Sequence, residues 1–83
     1  MKVRYFASVR ERIGLAEEEI ALPSEVATVG DLIAWPSRRG EGYASAFTDA
    51  AKVRAALDQT HVRRDAPIGA AREIAFFPPM TGG

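Results

Sequence analysis

The chain has 83 residues, no cysteine and one histidine, and its eleven basic and eleven acidic residues cancel. That inventory excludes disulfides, cysteine-ligated zinc, cysteine nucleophiles and a persulfide held on a side chain, and it leaves a histidine-based triad or metal site short of partners. With 47% hydrophobic and 27% charged residues the chain is ordinary folded-protein material, and its charge balance gives no footprint for nucleic acid.

A chain of this length makes one domain, here residues 1–83, whose core buries roughly 60–65% of the unfolded surface. The doublets Arg38-Arg39 and Arg63-Arg64 read as solvated surface. No apolar run approaches the ~18 residues of a membrane helix. Arg4, Arg10 and Glu11 interrupt the stretch where a signal peptide needs unbroken apolar residues. The expected location is the cytoplasm, with no membrane partner.

Residues 2–6, KVRYF, alternate, with Val3 and Tyr5 on one side and Lys2 and Arg4 on the other, as a strand requires. In SVRERIG, Ser8 and Glu11 form a capping-box pattern, Val9 and Ile13 share a face, and Gly14 suits the left-handed position after a helix end. This predicts a short helix over 8–13. EEEIAL, residues 17–22, reads as a second strand with Ile20 and Leu22 inward, returning antiparallel to the first. Its run Glu17-Glu18-Glu19 is either an acidic contact patch or, as the pattern favours, a charged strand end that resists edge pairing.

TVGDLIAW carries Thr28 and Asp31 at capping-box spacing and the stripe Val29, Leu32, Ile33. It predicts the longer, covering helix near 28–35, stopped by Pro36. Residues 37–45 read as loop, and AFTDAAK as a possible helical turn. VRAALDQTHV is a hairpin, with Val53, Ala55 and Leu57 inward and Asp58-Gln59 as its turn. Because Gln suits positive φ poorly, a bulged turn is an open alternative. His61 faces away from Val62 and reads as a plain exposed strand residue rather than a catalytic one. Pro67 fixes a bend and Ile68 plugs the core. EIAFF, residues 73–77, is the last strand, with Ile74 and Phe76 inward and Phe77 opposite. The class is α+β: a mixed sheet covered by a main helix.

No phosphate-cradling glycine loop and no pair of carboxylates suited to acid–base work is present. The chemistry concentrates in FFPPMTGG, residues 76–83. Pro78 and Pro79 lack N–H donors, so sheet pairing stops there, and they favour a stiff polyproline II course. The core is expected to end at residue 77. Residues 78–83, if extended, reach about 20 Å at ~3.3–3.6 Å per residue. Gly82 and Gly83 have no side chain and can thread a channel that any Cβ would block. An ordinary frayed terminus would need neither the aromatic pair, nor the prolines, nor the glycines.

FFPPMTGG resembles the C-terminal signature of the MoaD family, the small subunits of molybdopterin synthase. KVRYFASVRERIG, TVGDLIAW and LDQTHV agree with that family in order along the chain. The resemblance covers nearly all 83 residues and is weakest between Pro36 and Lys52. It implies a β-grasp, ubiquitin-like fold and the role of a sulfur carrier with no catalysis of its own. It implies that the carboxylate of Gly83 is adenylated by an E1-like enzyme using ATP and converted to a thiocarboxylate by a sulfur donor. The sulfur would pass to cyclic pyranopterin monophosphate in the active site of the large subunit, building the molybdopterin dithiolene. It implies that Met80, Thr81 and Gly82 thread that site, that Phe77, Pro78 and Pro79 anchor the contact, and that two small and two large subunits assemble. No cofactor is expected on the chain itself. A sulfur carrier of a thiamin-type pathway and a ubiquitin-like modifier or binding module are the alternatives.

Three positions depart from the family's usual pattern. Asp58-Gln59 replaces Asn-Gln in the hairpin, Ala70-Ala71-Arg72-Glu73 replaces Asp-Gly-Asp-Glu before the last strand, and Pro36 shortens the helix. Gly69 is then the candidate for the positive-φ position.

Overall fold

A computed structural model describes residues 1–35, 40–47 and 52–79. Alternation sets the strands: β1 (Lys2–Tyr5), β2 (Glu17–Glu19), β3 (Arg54–Leu57), β4 (Thr60–Val62) and β5 (Glu73–Phe77). They form one mixed sheet in the order β2-β1-β5-β3-β4. β1 and β5 run parallel at its centre, with Val3 opposite Ile74 and Tyr5 opposite Phe76. The other neighbours are antiparallel, including the return from β1 to β2. Among the described residues the helices α1 (Ala7–Ile13), α2 (Val29–Ala34) and α3 (Glu41–Ala46) lie between the strands in sequence.

One face of the sheet builds the core. Val3 and Tyr5 from β1, Ile74 and Phe76 from β5, and Ala55 from β3 pack with Val29, Leu32 and Ile33 of α2, Val9 of α1 and Phe47 after α3. Phe76 is fully buried, stacked on Tyr5 at 6.4 Å and met edge-on by Phe47 at 5.1 Å. Ile68 plugs the core as expected, and Gly69 takes the positive φ, +54°.

The local signals of α2 are realised in full. Thr28 accepts a hydrogen bond from the Asp31 N–H, and the Asp31 carboxylate accepts from the N–H groups of Ala27 and Thr28, each at 3.1 Å. These bonds, that from Ala27 first, hold the Asp31 carboxyl below its ordinary value. The helix closes on Trp35, before Pro36. With six residues it is no longer than α1, which has seven, so the expectation of one dominant covering helix is corrected. The cover is shared because α1 and α3 pack against each other beside it.

Three further expectations change. Ser8 does not cap α1: the chain stays extended to Phe6 and turns at Ala7, so Ser8 falls inside the first turn. Ala7 takes φ +50°, a left-handed conformation that costs an L-residue roughly 1–2 kcal/mol. Residues 41–46, read as loop, are helix α3, and Tyr43, Ala46 and Phe47 give it an inward stripe. Its Gly42 passes so close to α1 that an added Cβ would lie 2.9 Å from the Arg12 carbonyl oxygen. The hairpin keeps its expected two-residue turn, without the bulge left open as an alternative: Asp58 and Gln59 both adopt positive φ, +47° and +72°, and Leu57 pairs with Thr60, as in a type I′ turn. The second strand ends at Glu19, although Ile20 still bonds to Met1 in both directions. The helical turn expected over 46–52 falls on residues 48–51, outside the described residues, beyond the end of α3.

The glutamate run sits on the outer strand β2, as an edge guard would. Its charges are engaged within the chain: Glu17 with Lys2 at 3.1 Å, Glu19 with the N-terminal ammonium at 3.6 Å. Glu18 faces inward and accepts from both the Tyr5 and Tyr43 hydroxyls, at 2.7 and 2.8 Å, tying α3 to the sheet edge.

Candidate functional site

The second face of the sheet has no helix over it among the described residues, and the path to the C-terminal tail starts there. By alternation the outward positions are Lys2 and Arg4 on β1, Glu73, Ala75 and Phe77 on β5, Arg54 and Ala56 on β3, and His61 on β4. The small side chains of Ala56 and Ala75, paired across the strands, leave a shallow floor. Phe77 stands beside it, half-buried, with the His61 ring 5.1 Å away at 50°. Phe77 is therefore not the freely exposed aromatic that an anchor would suggest, but one already steadied by a neighbour.

The parallel register continues one step past β1. Phe6 donates its N–H to the Phe76 carbonyl at 3.0 Å, which brings Phe6 alongside Phe77. Phe6 is 40% exposed, and the Arg4 guanidinium lies 5.2 Å from its ring centre. Phe6, Phe77 and His61 thus make an aromatic rim around two alanines. Single exposed apolar residues are unremarkable, but a contiguous patch marks an interaction surface. Phe6 is not among the site residues expected from the sequence. Its signal was available: an aromatic at an outward position of KVRYF, where the alternation demands a polar residue. His61 is a strand residue as expected, and its aromatic contact gives it a place in the rim.

Past Phe77 the chain stays on the body of the protein for two residues. Pro78 and Pro79 are half-buried and share a hollow with Ser8, Val9 and Arg12 of α1 and Val53 before β3. The prolines leave no N–H for the sheet, so pairing ends with β5 at Phe77. The backbone is handed from the sheet to a course set by α1. Met80, Thr81, Gly82 and Gly83, the residues expected to thread a partner and carry the chemistry, lie outside the described residues.

Among the described residues there is no group of His, Asp and Glu side chains that could hold a metal ion, and no helix long and apolar enough to cross a membrane. The arrangement can dock and present. Among the described residues Ser8 and His61 stand on different elements, at the hollow beside Pro78 and on the rim.

Comparison with known proteins agrees with this geometry. Residues 3–83 match the model of the ThiS family. The chain is 40% identical over 83 residues to the molybdopterin synthase sulfur carrier subunit of Escherichia coli (strain K12), covering 100% of this chain and 99% of that protein. A solved structure described as a putative molybdopterin converting factor, subunit 1, from Pyrococcus furiosus is 32% identical, with a TM-score of 0.72 over 95% of each chain. SAMP1 from Haloferax volcanii superposes with a TM-score of 0.70 over 100% of this chain and 98% of that one, and at 22% identity it shows the shared ubiquitin-like β-grasp fold alone.

Proposed function

Because the chain belongs to the ThiS family, we propose that it is a sulfur carrier and the small subunit of a molybdopterin synthase. The observation that carries this reading is the full-length similarity to the Escherichia coli carrier subunit, which extends across the FFPPMTGG end. The absence of cysteine fits it, because the sulfur travels on the main-chain carboxyl.

In this reading Gly83 is the chemical site. An E1-like enzyme transfers adenylate from ATP to the Gly83 carboxylate with release of pyrophosphate. A sulfur donor then displaces AMP and leaves a thiocarboxylate. The large subunit accepts the tail, with Met80, Thr81 and Gly82 in its channel; there the thiocarboxylate sulfur replaces a C–O bond of cyclic pyranopterin monophosphate with a C–S bond, and water hydrolyses the resulting thioester, leaving the sulfur on the pterin and returning the Gly83 carboxylate. Phe77, Pro78 and Pro79, joined by Phe6 and His61, form the docking surface outside the channel. Aromatic residues are frequent anchors of such contacts. A two-plus-two assembly with the large subunit belongs to the same reading.

Intact mass spectrometry after incubation with an activating enzyme, ATP and a sulfur donor tests it. The expected product is the chain with one terminal oxygen replaced by sulfur, and deletion of Gly82-Gly83 abolishes the change while leaving the thermal transition in place. High-mass conjugates to other proteins would replace this reading with that of a modifier. Adding the large subunit and cyclic pyranopterin monophosphate separates molybdopterin synthesis from a thiamin-type pathway.

A further inference from the structure

A second surface lies at the far edge of the sheet, along the outer side of β4 and reaching back to Arg54 on the open face. Between α2 and the β3–β4 hairpin runs a groove of about 430 Å³. Val29 and Ile33 of α2 and Val62 of β4 give it an apolar floor, and Arg54, Arg63, Arg64 and Asp65 line it further. Three arginines against one carboxylate is a local excess in a chain whose charges otherwise cancel. None of the three forms an ion pair among the described residues.

The strand register sharpens this. Ala55 faces Val62, so one step further Arg54 and Arg63 come side by side across β3 and β4. Like charges in that position repel. β4 is also the outer strand of the sheet. In a two-residue hairpin closed by Leu57 and Thr60, the His61 N–H and C=O point away from β3, toward the open edge. An apolar trough, an open strand edge and unrelieved positive charge therefore coincide. Charged edges normally turn strands away, and positive charge leaves an acidic strand as the one it complements.

We propose that this groove binds an extended protein segment that alternates aliphatic and acidic side chains. The segment adds to β4 by main-chain hydrogen bonds. Its aliphatic side chains continue the inward face of the sheet onto Val62, Val29 and Ile33. Its carboxylates, one residue out of phase, reach the arginines, which the period of two along a strand requires. The proposal does not depend on sulfur transfer, and its failure leaves the carrier reading untouched.

The test is a titration of backbone amide chemical shifts in the full chain with a capped peptide of sequence DVEVDI. Shifts are expected on β4, Arg63–Asp65 and α2, with Phe6 and Phe77 unmoved. The double variant Arg54→Glu/Arg63→Glu weakens binding roughly tenfold or more, as does molar salt. The milder Arg54→Gln/Arg63→Gln variant gives an intermediate loss and guards against misfolding of the first. Equal binding of a KVKVKI peptide, shifts confined to Phe6 and Phe77, or no shifts at about millimolar peptide would each overturn the proposal and leave the arginines as edge guards. Equal competition by a short fatty acid would overturn it in favour of a small anionic ligand.

Discussion

Phe76 and Phe77 are neighbours on one strand, yet they belong to opposite faces of the sheet and do opposite work. Phe76 is fully buried between Tyr5 and Phe47. Phe77 is half-buried against His61, on the side with no helix over it. The covered face holds the protein together, and the open face is free to be read by something else. A strand that alternates strictly can serve both ends at once, because a residue on one face can change without repacking the other.

The largest expected effect is on the covered face. Phe76→Ala should cost about 3–5 kcal/mol in urea denaturation, enough to leave so small a domain largely unfolded. Phe77→Ala should cost about 1 kcal/mol or less in the same experiment. In calorimetric titration with the large subunit it should weaken association by about 2 kcal/mol, or roughly thirtyfold. Comparable stability losses for the two variants would erase the distinction between the faces.

Gly42→Ala sharpens the comparison from the covered side. Helix propensity alone predicts a gain of at most about 1 kcal/mol at the second residue of α3. The added Cβ, however, meets the Arg12 carbonyl oxygen at 2.9 Å, and neither backbone can yield cheaply. The clash should win, with a net loss of about 1–3 kcal/mol by thermal or urea unfolding. A more stable variant would mean that α1 and α3 can part without cost.

The smallest effects are expected at the α2 cap. Thr28→Ala should lose about 1 kcal/mol. Asp31 supplies a pH test with a defined sign. Its folded pKa lies below the ordinary value of 3.8, so its stabilising contribution is present above that value and disappears as pH falls through the folded pKa. The gap in urea midpoint between the wild-type chain and Asp31→Asn should therefore close on acidification. A gap that persists at low pH would assign the effect of Asp31 to packing rather than charge.

The features legible in the sequence were those whose causes are local. Thr28 with Asp31, Gly14 after α1, and the stripe Val29, Leu32, Ile33 each need only a few neighbouring residues, and all are realised. The inward phase of β1, β3 and β5 was equally plain, because an apolar side chain two residues from another fixes the face. What escaped depends on contacts between distant segments. Gly40 and Gly42 look like loop until Gly42 is set against the Arg12 carbonyl. Asp58 looks like a turn residue, yet its carboxylate accepts from the N–H groups of Arg72 and Glu73, each at 3.0 Å, and so fixes the start of β5. Phe6 became a site residue only when β5 was placed beside β1. The tail is the reverse case: residues 80–83 lie outside the described residues, and the role expected of them rests on their composition and on the family resemblance.

The central pairing has a further consequence. Lys2 stands opposite Glu73, so β1 and β5 join nearly the first and the last of the described residues. Contacts that far apart in sequence form late, after the loop-closure entropy of the whole intervening chain has been overcome. Phe6 and Phe77 come together only through that pairing. A partner that grips both aromatics therefore reads whether folding has finished: a misfolded or half-folded chain carries the same last residues but not the composite patch. Recognition at such a rim would act as proofreading, admitting a tail only when the body behind it is complete.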